Sequence, residues 1–303
     1  MPLAYGFTDY GGPSRQRFLD LPMPEPRDGE ILVRVHAAGV NPVDWGVREG
    51  LHRGFLPLTL PAVLGREVAG TVVRSSAGYQ EGDRILGSTI GGCGGYAEFA
   101  LVSAERSARM PDGLSFTDAA ALPVAGGTAY ESLGTLKPAP GETLLILGVG
   151  GGVGTVAAQL AVMRGVDVVG TASTAKRSYV ESLGVTAVPY DQGEIELPAK
   201  ADVVLDLVGG NALSTVADAL TDRTRILTVA DDDVAWRFNA RPLRRTGDPN
   251  TLTELARLVA GGKLDPCVRQ VFPFAEAGAA LAAVEAGHVS GKVVIGLPTG
   301  PRR

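Results

Sequence analysis

The sequence predicts an α/β protein with two parts, a barrel-like, mostly antiparallel domain and a doubly wound parallel sheet. Three observations predict it. Up to about residue 125 the chain offers short β-branched runs broken by Gly and Pro, at 31–35, 68–73, 84–87 and 96–102, with few helical stretches between them. Beyond that point apolar strands alternate with ten-residue helical patterns, as βαβ units of a parallel sheet require. Third, the charge-free run 143–163 contains Gly148, Gly150, Gly151, Gly152 and Gly154. At about 1 kcal/mol per helical glycine this is a poor membrane helix. It reads instead as strand, glycine turn and buried helix.

The elements follow in order. Strand 144–147 precedes helix 155–164, strand 166–172 precedes helix 174–183, and strand 202–207 precedes helix 211–220 and strand 225–229. A helix over 251–260 carries Leu252, Leu255 and Leu258 on one face. The tail adds strand 268–272, helix 274–285 and strand 292–295. No internal repeat and no low-complexity linker interrupts this course.

Composition narrows the function. The 303 residues are ample for a core, and 45% apolar with 20% charged residues excludes global disorder. With 28 Lys and Arg against 33 Asp and Glu, a net charge of −5, and no block of like charge, neither nucleic acid nor an anionic membrane is an expected partner. Cys93 and Cys267 cannot build a disulfide framework or a structural zinc site. The N-terminus lacks the basic and apolar regions of a signal peptide, so a cytoplasmic location is expected.

The turn Gly148-Val-Gly-Gly-Gly-Val-Gly154 fits Gly148-x-x-Gly151-x-x-Gly154 rather than G-x-G-x-x-G. Small residues, Gly148, Gly151, Gly152, Val153 and Gly154, let backbone approach a pyrophosphate, and the helix that follows offers unpaired N–H groups and a positive dipole end. An NAD-binding unit ends its second strand with an acid for the ribose 2′-hydroxyl. Here that strand runs into Ser173-Thr-Ala-Lys176-Arg177, a hydroxyl and two cations suited to a 2′-phosphate. The alternative is that Lys176 and Arg177 line a solvated helix face. Tyr190, after the next short strand, is placed to stack on or bond near the adenosine. The expected cofactor is NADPH.

A series of motifs then appears in order: Gly39-Val-Asn-Pro-Val-Asp44, Leu64-Gly-Arg-Glu67, Ala69-Gly70, Gly82-Asp-Arg84 and Gly95-Tyr-Ala-Glu98. Ala120-Ala-Leu-Pro123, Gly127-Thr-Ala129, the glycine loop, Asp206-Leu-Val-Gly209 and Gly291-Lys292 complete it. In these the chain resembles the zinc-independent quinone oxidoreductases of the medium-chain dehydrogenase/reductase superfamily over nearly its whole length. The resemblance implies a GroES-like catalytic domain from residues 1–122 and 264–303, a Rossmann domain from 123–263, a cleft at their junction and a homodimer. It also places Thr128, Val208 and Gly209 near the nicotinamide. The zinc-dependent alcohol dehydrogenase branch has a ligating Cys where this chain has Asn41, and a His where it has Arg66. No third ligand and no four-Cys lobe is evident, so no metal is expected.

Without zinc, the remaining chemistry is direct hydride transfer to a substrate activated by conjugation, a quinone or a conjugated carbonyl compound. Asn41 and Asp44 sit where the family lines its cleft; they either meet a carbonyl oxygen or satisfy loop backbone. His52, in Gly50-Leu51-His52, stands near where related reductases carry Tyr; it is either a proton donor or an exposed loop histidine. His36 and His288 read as structural, and Cys93 as a small buried side chain. Residues 230–249 carry Asp231, Asp232, Asp233, Arg241, Arg244 and Arg245, suggesting a mobile segment or a polar substrate, with Trp236 and Phe238 as candidate caps on the cofactor. Two further readings stay open: an enoyl reductase tailoring a biosynthetic, polyketide-like intermediate, and a non-catalytic NADPH-binding protein.

Overall fold

The structure, a computed structural model, describes residues 1–192, 195–221, 224–230 and 232–298, with backbone alone for 232–234. The first half of the chain is strand-rich. It contains β1 (Leu3–Phe7), β2 (Gln16–Asp20), β3 (Glu30–Val40), α1 (Pro42–Glu49), β4 (Ala62–Val63), β5 (Glu67–Val72), β6 (Arg84–Thr89), β7 (Phe99–Arg109) and α2 (Phe116–Ala120). Then α3 (Gly127–Leu136), β8 (Thr143–Leu147), α4 (Gly152–Val162), β9 (Asp167–Ala172), α5 (Arg177–Glu181), β10 (Thr186–Pro189), β11 (Val203–Asp206) and β12 (Arg225–Thr228) alternate. The chain ends through α6 (Asp232–Arg237), β13 (Arg241–Pro242), α7 (Pro249–Ala260), β14 (Val268–Pro273), α8 (Ala277–Glu285) and β15 (Lys292–Gly296). They form two compact units, Met1–Gly127 with Gly247–Arg303, and Thr128–Thr246. The division puts α7 in the first unit, whereas the sequence placed residues 251–260 with the Rossmann half.

In the first unit β3, β5, β6 and β7 pair antiparallel in sequence, and β7 returns to β3 to close a four-stranded barrel. Closure removes exposed edges. One strand makes this possible because β3 is long: its first half, Glu30–Arg34, pairs with β7, and Ala37–Val40 pairs with β15. The irregularity between Val35 and Ala37 lets it turn from one partner to the other. Glycine allows the close approaches: a Cβ at Gly70 would lie 2.1 Å from the Arg34 carbonyl oxygen. Phe7, Ile31, Val33, Leu64, Val102 and Ile295 fill the interior. β3 and β7 each run to eleven residues, longer than expected, because an amphipathic barrel strand tolerates the polar residues that end a sequence-based assignment.

The second unit is a parallel sheet in the order β10-β9-β8-β11-β12-β13. The order reverses direction at β8, so the C-terminal ends of β8 and β11 flank a topological switch point, where open α/β sheets bind ligands. The first helix starts at Gly152, three residues earlier than expected. The helix expected over 174–183 is a 3-10 turn, Thr174–Lys176, followed by α5; that over 211–220 is a 3-10 stretch, Ser214–Ala219, broken at Val216. Residues 230–249, whose charge suggested a mobile segment or a polar substrate, contribute α6 and the sixth strand of the sheet. Asp231 lies outside the described residues. No helix among the described residues is long and apolar enough to cross a membrane.

Candidate functional site

Each unit gathers its own set of candidate residues. In the barrel unit a polar network is buried where β3, β5 and β15 begin or end. Lys292 Nζ donates to Val40 O at 2.9 Å, to Asn41 Oδ1 at 2.6 Å and to Glu67 Oε1 at 2.7 Å. Asn41 Nδ2 donates to the same Glu67 oxygen at 2.8 Å, and the Val124 amide donates to Glu67 Oε2 at 2.6 Å. Glu67 is fully buried and Lys292 nearly so, which in an apolar barrel requires this pairing. Gly39 is part of the arrangement, since a Cβ there would stand 2.2 Å from Glu67 Oε1.

Asp44 continues the network. Its Oδ2 accepts the Asn41 N–H at 2.9 Å, holding the first turn of α1, and the Tyr96 hydroxyl at 2.8 Å. Burial pushes the Asp44 carboxyl up to about 6, against the lowering effect of those two hydrogen bonds. Tyr96 is held well above its ordinary value by burial and by the Asp44 charge. Its ring lies on Gly65, where a Cβ would approach to 2.4 Å. Asn41 and Asp44, expected to line a cleft, are therefore buried, and their polar atoms are engaged inside the unit.

His52 stands apart from that network. It follows α1 after the left-handed Gly50 and folds back so that a Cβ on Gly46 would lie 2.8 Å from its Nε2. Its ring packs 5.1 Å from Phe55, and Leu51 and Phe55 beside it are exposed. Burial, with the Arg66 charge, lowers the imidazole below its ordinary value. The Cys93 thiol is pushed up to about 11 by burial and the Asp44 charge, so it is not an activated nucleophile. His36 bonds Thr71 Oγ1 at 3.0 Å and packs 4.3 Å from Phe116, a structural placement. Sequence reasoning missed Glu67, Tyr96 and Lys292 as one cluster. The available signal was a charged residue opening each of two apolar strands, Glu67-Val-Ala and Lys292-Val-Val-Ile.

In the sheet unit, Gly148 turns with φ +80° after β8, and Gly152, Val153 and Gly154 form the first turn of α4. Among the described residues no hydrogen bond is seen to use the amides of these three, leaving donors and a helix dipole at the loop. Side chains are excluded by contact: a Cβ at Gly154 would lie 2.6 Å from Val149 Cα, and one at Gly170 2.4 Å from Val149 Cγ1. Val208 lies across the switch point, its Cγ2 2.9 Å from where a Gly148 Cβ would be. The buried Asp206 shapes that side, accepting the amides of Val208 and Gly209 at 3.0 Å each and the Thr228 hydroxyl at 2.8 Å. The loop fits a dinucleotide pyrophosphate: it is a glycine cradle with amide donors and no carboxylate side chain.

The remaining expected cofactor residues divide. Lys176 lies over the loop, its Cδ 2.9 Å from where a Gly150 Cβ would stand, whereas Arg177 Nε donates to Glu181 at 2.8 Å along its own helix. Ser173 precedes the 3-10 turn without capping it, and Tyr190 is half exposed, its N–H bonded to Ala172 O. Thr128 is buried in the first turn of α3. Phe238, a candidate cap on the cofactor, packs instead against the core cluster of Leu147, Leu213 and Val216. Trp236 is 90% exposed.

For a catalytic zinc the donors do not fit. Asn41 is bonded to an ammonium, Arg66 is a cation, and among the described residues no group of three His, Cys, Asp or Glu could hold a metal.

Residues 27–112 match the alcohol dehydrogenase GroES-like domain, and residues 183–295 match a family described as zinc-binding dehydrogenase. The chain is 33% identical to the 2-methylene-furan-3-one reductase of Solanum lycopersicum, over 96% of this chain and 78% of that one. It belongs to the zinc-independent quinone oxidoreductase family of the medium-chain dehydrogenases/reductases. A second relative in this family, the chloroplastic NADPH-dependent alkenal/one oxidoreductase of Arabidopsis thaliana, is 32% identical over 96% of this chain and 78% of its own length. The solved quinone oxidoreductase from Coxiella burnetii superposes with a TM-score of 0.90 at 31% identity, covering 98% of this chain and 99% of that one. The expectation of a cytoplasmic protein is overturned by quinone oxidoreductase relatives themselves. Besides the Arabidopsis protein, they include a chloroplastic homologue from Spinacia oleracea and a mitochondrial NAD(P)H oxidoreductase of Homo sapiens.

Proposed function

We propose that this quinone oxidoreductase family member transfers hydride from NADPH to a quinone or a conjugated alkene without a metal. The observation that carries the reading is the glycine cradle at the switch point of the parallel sheet, in a chain that has Asn41, bonded to the Lys292 ammonium, and Arg66 at the positions of the zinc ligands. NADPH supplies the hydride when bound. The amides of Gly152, Val153 and Gly154 hold the pyrophosphate, and Lys176 gives a cation toward the adenosine end. Val208 and Gly209, fixed by Asp206, bound the cradle on the other side. In the barrel unit, the Glu67–Lys292 pair and the Asp44–Tyr96 bond fix the first turn of α1 and so the segment that presents His52.

His52 is the proposed proton donor for alkene reduction, where carbon must be protonated; a quinone's oxygens are protonated by water. A panel of quinones, enals and enoyl thioesters, assayed by NADPH consumption, tests the activity. His52→Ala is expected to slow alkene turnover by about tenfold or more while sparing quinone turnover. Because the imidazole is lowered, the wild-type alkene rate should already fall as pH rises through the region below 6.5. Equal effects on both substrates, with an unchanged pH profile, would remove His52 from the mechanism. Tight NADPH binding with no turnover on any substrate would make the chain a binding protein. We further propose a homodimer, checked by sedimentation.

A further inference from the structure

The second strand of the parallel sheet is where dinucleotide-binding units grip the adenosine ribose. A carboxylate there accepts from the 2′-hydroxyl, and a cation there receives a 2′-phosphate. In this chain the second strand is β9, which ends at Ala172 and continues Ser173-Thr174-Ala175-Lys176 without an acid. Its neighbour supplies one. β10 runs parallel to β9 with Pro189 opposite Ala172, and two residues past its end Asp191 folds across the gap. Its carboxylate accepts the Thr174 hydroxyl at 2.7 Å and the Thr174 N–H at 3.0 and 3.1 Å.

These bonds do two things. They anchor the turn after β9, and they hold the exposed Asp191 carboxyl below its ordinary value, so it is charged at neutral pH. Of the two cations that the sequence offers there, Arg177 is turned away to Glu181 and Lys176 lies over the glycine loop.

We infer that Asp191 sets the cofactor preference of this enzyme. Reached across from β10, it provides at the 2′ end of the ribose the acid that β9 lacks, so that the site accepts NADH beside NADPH. The inference rests on the reading that the glycine loop holds the dinucleotide. With a 2′-hydroxyl, the carboxylate is an acceptor; with a 2′-phosphate, it opposes the charge that Lys176 attracts.

The test is binding in the absence of substrate, followed by nicotinamide fluorescence with NADPH and NADH, and by calorimetry with adenosine 2′,5′-bisphosphate and 5′-AMP. Asp191→Asn keeps an oxygen to accept from Thr174 but removes the charge. It is expected to raise the NADPH-to-NADH affinity ratio by about five- to thirtyfold, with a smaller gain at high salt, and to leave the melting temperature unchanged. Asp191→Ala, which also loses the anchor, should shift the ratio in the same direction. An unchanged ratio in Asp191→Asn, or a shift seen only in Asp191→Ala, would overturn the inference by showing that the anchor alone matters. Failure of the wild type to bind either dinucleotide would overturn it together with the cofactor reading, whereas binding with an unmoved ratio would leave the cofactor reading standing.

Discussion

Both units bury a carboxylate at a functional turn, and they satisfy it in opposite ways. In the barrel unit Glu67 is met by an ammonium and an amide brought from far along the chain, Lys292 and Asn41. In the sheet unit Asp206 is met by the amides of the two residues after Leu207 and by one hydroxyl from the adjacent strand. The first solution is an ion pair whose partners are useful only together; the second spreads one charge over neutral donors. The barrel unit thus stakes stability on its charges, while the sheet unit keeps others near its surface, Arg177 paired with Glu181 and Asp191 bonded to Thr174.

The largest expected effect follows from the ion pair. Lys292→Ala leaves Glu67 as an uncompensated buried charge and should cost about 3–5 kcal/mol in urea unfolding. Adding Glu67→Gln should recover a large part, because the pair matters more than either member. If the single and double variants lose equal stability, Glu67 is not held as a charge.

Asp206→Ala should cost less, about 2–3 kcal/mol, because it strands two amides and a hydroxyl but no charge. Asp206→Asn should be milder still, since its oxygen can accept both amides. If Asp206→Asn were as damaging as Lys292→Ala, the contrast between the units would fail.

Asp44 gives that contrast a pH signature. A buried carboxyl raised to about 6 favours the folded state when protonated. Its contribution is fully present below the ordinary value near 4 and is lost as pH rises through about 6. Asp44→Asn keeps an acceptor for Tyr96 and for the Asn41 N–H. The difference in unfolding free energy between variant and wild type should therefore grow in the variant's favour between pH 4 and 6.5, by about 2 kcal/mol. A difference independent of pH would mean that Asp44 titrates alike folded and unfolded.

How much of this was legible in the sequence follows the same division. The sheet unit was readable because its parts are local: the glycine loop follows β8 directly, and Asp206-Leu-Val-Gly209 contains both a carboxylate and the amides it accepts. The barrel network was not, because Asn41, Glu67, Tyr96 and Lys292 meet only after β3 closes the barrel and β15 joins it. For Asn41 and Asp44 the sequence left two roles open, a carbonyl contact or a loop-backbone contact, since spacing along a loop does not say which side chains a distant lysine and tyrosine will claim. Asp191 was missed for a related reason. It lies past the end of β10, and only the parallel pairing of β10 with β9 brings it to Thr174. Within residues 230–249 the charges conceal β13, which needs only two residues to pair with β12.

The smallest expected effect divides two neighbours that the sequence treats alike. Lys176 lies over the glycine loop, and its removal to Ala should weaken NADPH binding by about 1–2 kcal/mol, the loss of a charge-assisted contact, while NADH is nearly spared. Arg177 is engaged with Glu181 one turn along α5, both side chains exposed. Such a pair is worth about 0.3–0.5 kcal/mol to a helix and offers little to a ligand, so Arg177→Ala should change NADPH affinity by less than about 0.5 kcal/mol. Titrating both variants with NADPH and NADH at two salt concentrations decides the matter. A loss for Arg177→Ala equal to that for Lys176→Ala would show that the guanidinium leaves Glu181 when the cofactor arrives, and that the rim of the sheet unit, unlike the barrel network, rearranges its ion pairs to bind.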